Sequence, residues 1–449
     1  MIPAQDLVES ALSQSSADGC VVLVTDASEA SLRWANSTMT TNGVSTSRSW
    51  AVVSVLGTSV GVVTSTSVDP AEVTAVVRAS EEAARAAGPA RDAAPLVTGG
   101  AEEAGWDGAA AQTDVTVFDT LATELAAGFR GQDVLYGFAE HQLHTTWLGS
   151  STGLRRRFTQ PTGSVEVNAK RDGSSAWGGV STRDFTDVDL PSILADLSTR
   201  LGWGRTQVEL PAGRYETLLP PSAAADLMIY LAWSMEGRGA QEGHTALSRA
   251  GGTRIGEKLT DLPLTLAFDP HAPGLEYAPF VATTHSDDST SVFDNGLAAE
   301  RVELVRDGVV NALTYPRAAA TEFGAPVAVP GDNLLLTGGS GATIGDMVAS
   351  TERGLLLTCL WYIREVDPAT LLVTGLTRDG VYLVEDGKVI GEVNNFRFNE
   401  SPLDLLRRVT EVGATERTLA REWKDWFTRT AVGPMRIPDF HMSSTSRAR

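Results

Sequence analysis

The sequence predicts an α+β protein: an α/β N-terminal domain over residues 1–210, followed by a β-rich C-terminal domain over residues 211–449. Three observations lead there. At 449 residues the chain exceeds what one hydrophobic core usually serves, so two domains are expected. The first half mixes apolar strand runs with capped amphipathic helices. The second half is mostly a succession of short strand runs divided by turns, including Asp307-Gly308 and Asp386-Gly387, the dipeptides that favour tight hairpins.

In chain order, residues 3–16 read as a short helix with Leu7, Ala11 and Leu12 on one face. Short strands follow at Cys20–Thr25, Ser31–Trp34, Trp50–Leu56 and Gly57–Thr64. Asp69-Pro70-Ala71-Glu72 opens a helix with a capping carboxylate and a proline at the first helical position. That helix runs to about Ala87, with Gly88 as its stop. Residues 88–113 are rich in Ala, Gly and acidic residues and read as a loop or linker. Val117–Arg130 spaces Phe118, Leu121, Leu125 and Phe129 as a helix does. Strand runs then recur at Tyr136–Phe138, Thr145–Leu148, Arg155–Thr159 and Ser164–Ala169, before a helix at Pro191–Leu201. Val208 and Leu210 read as pairing with Thr217–Leu219 around a turn at Pro211-Ala212-Gly213.

Pro220-Pro221 starts an apolar helix that breaks at Gly237, followed by a polar, Gly-rich loop to Lys258. Strand runs are expected at Leu264–Phe268, Arg301–Leu304, Val309–Leu313, Leu334–Leu336, Leu355–Ile363, Leu371–Thr374, Gly380–Leu383 and Lys388–Asn394. Ser401-Pro402 caps a helix through about Val412, stopped by Gly413. Glu416–Thr428 reads as amphipathic, and the tail from Met435 as apolar then polar.

Composition excludes several function classes. Lys and Arg number 36 against 56 Asp and Glu, a net charge of −20, which argues against nucleic-acid or anionic-membrane binding. The two cysteines, Cys20 and Cys359, lie beside apolar runs and form no CxxC spacing. The first residues have no basic and apolar leader pattern, and no apolar run reaches the roughly 18–20 residues that span a bilayer. A cytoplasmic location is the expectation.

The motifs are weak taken singly. His141 and His144, three apart on a strand, would face opposite sides and could not share a metal. His285 lies in the polar loop His285-Ser286-Asp287-Asp288. Leu334–Gly345 (LLLTGGSGATIG) resembles a phosphate cradle but lacks the GK[ST] of a P-loop, and Asp346 reads as a helix start. Neither HExxH nor GxSxG occurs.

A resemblance carries more. Ser151-Thr152-Gly153, Gly251–Lys258 (GGTRIGEK), Phe268-Asp269-Pro270, Phe293-Asp294-Asn295-Gly296 and Arg306-Asp307-Gly308-Val309 occur in an order and spacing that resembles the TldD/TldE (PmbA) family. Arg317-Ala318, Gly338-Gly339-Ser340, Arg353-Gly354-Leu355 and Asn394-Asn395-Phe396 continue it. In the TldD branch, an HExxxH helix and a distant cysteine hold zinc, and the Glu is the general base. The matching hexapeptide here is Trp233-Ser234-Met235-Glu236-Gly237-Arg238. Trp233 and Arg238 replace the histidines and Ser234 replaces the Glu, so neither zinc ligands nor base are expected at these positions.

The resemblance therefore implies a TldE-like subunit, with no cofactor of its own. Its partner would be a TldD-type zinc metallopeptidase, and the pair would process unfolded or leader peptides. Arg238, Gln241, Glu242, His244 and His285 are the candidate cleft-lining residues. Arg254 and Lys258 read as salt-bridge or turn residues. Two alternatives stay open: an autonomous hydrolase drawing on His285, Asp287, Asp288 or Glu242, and a peptide-binding scaffold that forms a homodimer.

Overall fold

Strand outweighs helix, 40% against 22%, and helices and sheets are mixed throughout the computed structural model. It describes residues 2–99 and 105–446. Part of the expected 88–113 loop, residues 100–104, lies outside the described residues.

The N-terminal part is built on six strands: β1 (Gly19–Ala35), β2 (Thr38–Leu56), β3 (Ser59–Ser65), β4 (Val134–Ser150), β5 (Arg155–Arg171) and β6 (Ser174–Thr182). They form one antiparallel sheet in the order β3-β2-β1-β4-β5-β6. The short runs expected along this region are joined. Residues 19–35 form one strand because β4 pairs with it from Val21 to Trp34, supplying partners for the polar stretch Asp26–Glu29. The hairpin between β1 and β2 turns at Asn36 and Ser37, with φ of 51° and 53°, as a tight two-residue turn requires.

One face of this sheet is covered by α1 (Ala4–Gln14), α2 (Pro70–Ala86), α3 (Asp119–Gly128) and α4 (Leu190–Trp203). Cys20, Val22 and Val24 pack under α1 and α2, while Ala30, Leu32 and Trp34 pack under α3 and α4. Their even spacing along β1 puts them on one side of the pleat. The odd residues Val21 and Leu23 meet Phe280, Val292 and Phe293 from the C-terminal half. Asp69 caps α2 by accepting from the Ala71 amide. The helix ends at Ala87 in extended backbone, not in a left-handed glycine turn.

The expected pairing of residues 208–210 with 217–219 does not form. The strand β7 (Gln207–Val208) runs parallel to Lys388–Val393, and β8 (Gly213–Leu219) lies between Arg353–Leu357 and Met435–Thr445. In the C-terminal part, a six-stranded sheet and a ten-stranded sheet share one core around α5 (Pro221–Trp233). Residues Ala223–Ile229 of α5 are all buried. A helix buried on every side belongs in such a centre. Both Asp-Gly turns are present, Asp307-Gly308 joining Val302–Arg306 to Val309–Val310 and Asp386-Gly387 joining Val381–Glu385 to Lys388–Val393.

Other expectations change. The run 355–363 is two strands, Arg353–Leu357 and Leu360–Asp367, because Thr358 turns aside to bond the Gly380 carbonyl. The helix at Pro402 stops at Arg408, and Glu411–Val412 instead pairs with Met435–Arg436. A short helix, Ile344–Ala349, starts earlier than Asp346. Thr343 and Asp346 form its reciprocal cap. Glu416–Thr428 is a strand, Glu416–Thr418, followed by turns.

Candidate functional site

The apolar helix α5 does not run to Gly237. It ends at Trp233, and Ser234 caps it, donating its hydroxyl to the Tyr230 carbonyl at 2.8 Å. Extended backbone at Glu236 then starts a second helix, α6 (Gly237–Glu242). Glu236 caps α6 by accepting from the Gly239 amide at 2.8 Å, and burial holds its carboxyl above the usual range. Gly237 marks the beginning of α6 because its Cα lies against the ring of Tyr315. A Cβ there would sit 2.1 Å from Tyr315 Cζ.

This break sends the three motif positions to different surroundings. Trp233 packs edge-on to Trp423 at 5.0 Å and to Phe427 at 6.1 Å. Ser234 uses its hydroxyl on its own helix. Arg238 is 4% exposed, with Nη2 2.6 Å from Glu322, Nη1 3.4 Å from Glu242 and Nε 3.7 Å from Asp288. Its guanidinium also lies over the Phe323 ring at 5.2 Å. Bonds from Arg91 first, then from Arg238, hold the Glu242 carboxyl below its usual range.

Of the five residues expected to line a cleft, Arg238 borders a small cavity. With Arg91, Asp92, Asp287, Asp288 and Pro316 it lines a cavity of about 180 Å³ between α6, the loop 286–288 and the helix α7 (Arg317–Phe323). Gln241 points elsewhere, its amide 3.3 Å from the Tyr315 hydroxyl. His244 is exposed, its Nδ1 3.7 Å from Glu242. His285 lines a second cavity, about 340 Å³, with Thr25, Trp50 and Thr146 of the N-terminal sheet. The five candidates are thus not one constellation. Arg254 and Lys258 make local ion pairs, with Glu257 at 3.2 Å and Asp261 at 2.5 Å.

Sequence reasoning missed Arg91 and Glu322, both central to the Arg238 cluster. Arg91 lies in the loop read as a linker, 151 residues from its partner Glu242, and no local pattern links them. Asp226 was missed too. It sits inside α5, fully buried, accepting from the Glu422 amide at 2.8 Å, and its backbone carbonyl accepts from the Trp423 indole at 2.8 Å. Burial pushes its carboxyl well above the usual range. A lone Asp in an otherwise apolar helix was the available signal.

His141 and His144 do face opposite sides of β4. His141 is buried, bonded to Thr113 at 2.6 Å and to the Arg183 carbonyl at 3.0 Å, whereas His144 stands 3.5 Å from Glu29. Zinc does not fit the motif positions: an indole, a hydroxyl bonded to its own helix and an ion-paired guanidinium offer no ligand set. Among the described residues, no three His, Cys, Asp or Glu side chains gather as a metal site. No helix among them is long and apolar enough to cross a membrane.

Residues 212–444 match the model of the PmbA/TldA metallopeptidase C-terminal domain, just over half the chain. The chain belongs to this PmbA/TldD family of metallopeptidase-related proteins. Its fold is that of TldE from Thermococcus kodakarensis, at 16% identity and a TM-score of 0.78, with 97% of this chain and 99% of that one covered. A candidate modulator of DNA gyrase from Bacteroides thetaiotaomicron is similar at 16% identity, a TM-score of 0.76 and 98% coverage of both chains. Another, from Thermotoga maritima, aligns at 14% identity and a TM-score of 0.75, over 94% of this chain and 95% of that one. No curated protein matches the sequence.

Proposed function

We propose that this chain is a non-catalytic, TldE-like subunit that works with a TldD-type zinc metallopeptidase on unfolded or leader peptides. One observation carries the reading: at the positions where the catalytic branch of the family holds zinc and its base, each side chain is committed to packing, capping or ion pairing. Trp233 is part of an aromatic cluster with Tyr230, Trp423 and Phe427. Arg238 ties α6 to α7 and to the loop at Asp288. Neither can deliver a Lewis acid or a general base to a peptide bond. What the chain retains is the helix pair and the cleft wall, which suits a subunit that shapes a channel for its partner.

The test is to purify this chain alone and together with a TldD-type chain, and to assay both on an unstructured peptide. Cleavage is expected only with the partner present, and a chelator is expected to abolish it. Zinc-dependent cleavage by the lone chain would sink the reading.

A further inference from the structure

Where the end of β6 meets the C-terminal half, Arg183, Arg417 and Arg429 line one small cavity, with Thr162, Ser181 and Glu276 beside them. Each arginine reaches across the boundary between the halves. Arg183, just past β6, stands 3.9 Å from Glu276. Arg417 bonds Asp187, which also accepts from Thr182 at 2.5 Å. Arg429 donates to the Thr162 hydroxyl at 2.8 Å and, within its own half, to the Asp332 carbonyl at 3.0 Å and the Asp332 carboxylate. Glu276 is the one carboxylate in the wall. Asp187 and Asp332 pair with two of the arginines but do not line the cavity. In a chain of net charge −20, three guanidiniums around one cavity reverse the prevailing sign.

These groups have donors to spare. A guanidinium carries five N–H donors. Among the described residues, Arg429 uses three, Arg417 uses one, and Arg183 has no side-chain partner within hydrogen-bond distance. Two, four and five donors remain. Ser181 is 6% exposed, and no hydrogen-bond partner reaches its hydroxyl. A buried hydroxyl left so is costly, which points to an occupant that the side chains alone do not supply.

The cavity is about 20 Å³, room for one atom near the size of a water oxygen. A water molecule would need acceptors for its own two hydrogens, and this wall offers mainly donors. A monatomic anion needs donors only, and guanidinium suits it because the charge is permanent and the donors are fixed in a plane.

We propose that this cavity binds one monatomic anion of chloride size, and that the anion ties the two halves together through Arg183, Arg417 and Arg429. The site shares no lining residue with the Arg238 cavity and is independent of any peptidase partner.

Thermal unfolding of the full chain tests it, with sodium chloride exchanged for sodium gluconate at fixed ionic strength so that screening stays constant. The midpoint is expected to rise with chloride and to saturate, as for one bound ligand. Arg183→Gln and Arg417→Gln are each expected to weaken the apparent chloride affinity by about tenfold, the loss of one hydrogen bond to a charged group. Circular dichroism is expected to stay unchanged, since both side chains are partly exposed. A crystal grown in sodium bromide is expected to show an anomalous peak among the three arginines. A midpoint that does not respond to the exchange overturns the proposal, as does a water molecule in the cavity of the bromide crystal. A bromide peak without a saturable effect in solution marks an adventitious ion only and overturns it too. A chloride effect that survives both substitutions places the ion elsewhere.

Discussion

Residue 237 has room for a hydrogen and nothing more. Gly237→Ala would drive a methyl carbon into the Tyr315 ring, which is itself buried and bonded to Gln241. The expected cost is about 1–3 kcal/mol or more, as for overpacking elsewhere, seen as a lower midpoint in urea. Gly202→Ala is the contrast, because nothing lies within 4 Å of its Cβ position on α4, and a gain of about 0.5–1 kcal/mol is expected there. Asp226 belongs to the same scale. Its carboxyl titrates higher in the fold than in the unfolded chain because burial disfavours the charge. The folded state then holds the proton where the unfolded state has released it, so stability falls as pH rises from the ordinary Asp range towards the raised folded value. Asp226→Asn keeps an acceptor for the Glu422 amide and removes that titration. Urea titrations between pH 4 and 8 should show a flatter slope for the variant; an unchanged slope would show that Asp226 is not the group responsible.

At the scale of elements, the segment after Thr418 shows how packing overrides local pattern. Leu419, Ala420, Trp423 and Phe427 are spaced as on a helix, and all are buried. Yet the chain makes turns there, because Asp226 takes the Glu422 amide and the Trp423 indole and anchors the backbone to α5. Trp423→Ala should cost about 3–5 kcal/mol and uncover the face of Trp233 that packs on it, a side chain already 43% exposed, shifting its fluorescence further to the red. A full-size loss without the spectral shift would mean the aromatic cluster does not order Trp233. The strand Met435–Thr445 is a second case. It lies inside the ten-stranded sheet between β8 and Phe396–Glu400, with Met435, Ile437, Phe440 and Met442 buried. Pro438 falls where the register shifts between Ile437 and Phe440, so its missing N–H interrupts the ladder at a bulge. From sequence, the same proline disguises a central strand as a tail.

Across the whole molecule, the two halves share side chains. Phe280, Val292 and Phe293 cover the odd face of β1, and Arg317 on α7 holds Asp294 at 2.6 Å and the Pro95 carbonyl at 2.9 Å. Lys424 reaches Glu166 at 3.1 Å, and Arg429 reaches Thr162 at 2.8 Å. Phe293→Ala should cost about 3–5 kcal/mol and speed hydrogen exchange at the Val21 and Leu23 amides, across the boundary from the substitution. Faster exchange confined to residues around 293 would show that the halves are energetically separate. The Arg238 cluster depends on the same contact, since Arg91 comes from the segment after α2 and Glu242 from α6.

By itself the sequence determined the class of fold, the family resemblance, the capped helices at Asp69 and Ser401 and both Asp-Gly hairpins. These depend on neighbours a few residues apart, or on motif order along the chain. Through the resemblance it also led to the expectation that Trp233, Ser234 and Arg238 stand where a catalytic relative would hold its ligands and base. Only the tertiary structure decided the rest. The polar stretch of β1 is strand because β4 lies beside it. α5 stops at Trp233, where Ser234 bonds the Tyr230 carbonyl, and Tyr315 fills the space beside Gly237 at the start of α6. Arg238 is closed in because Arg91, Glu322 and Asp288 come from distant parts of the chain. Strand pairing and charge burial are set by partners far away in sequence, and local periodicity carries no record of them.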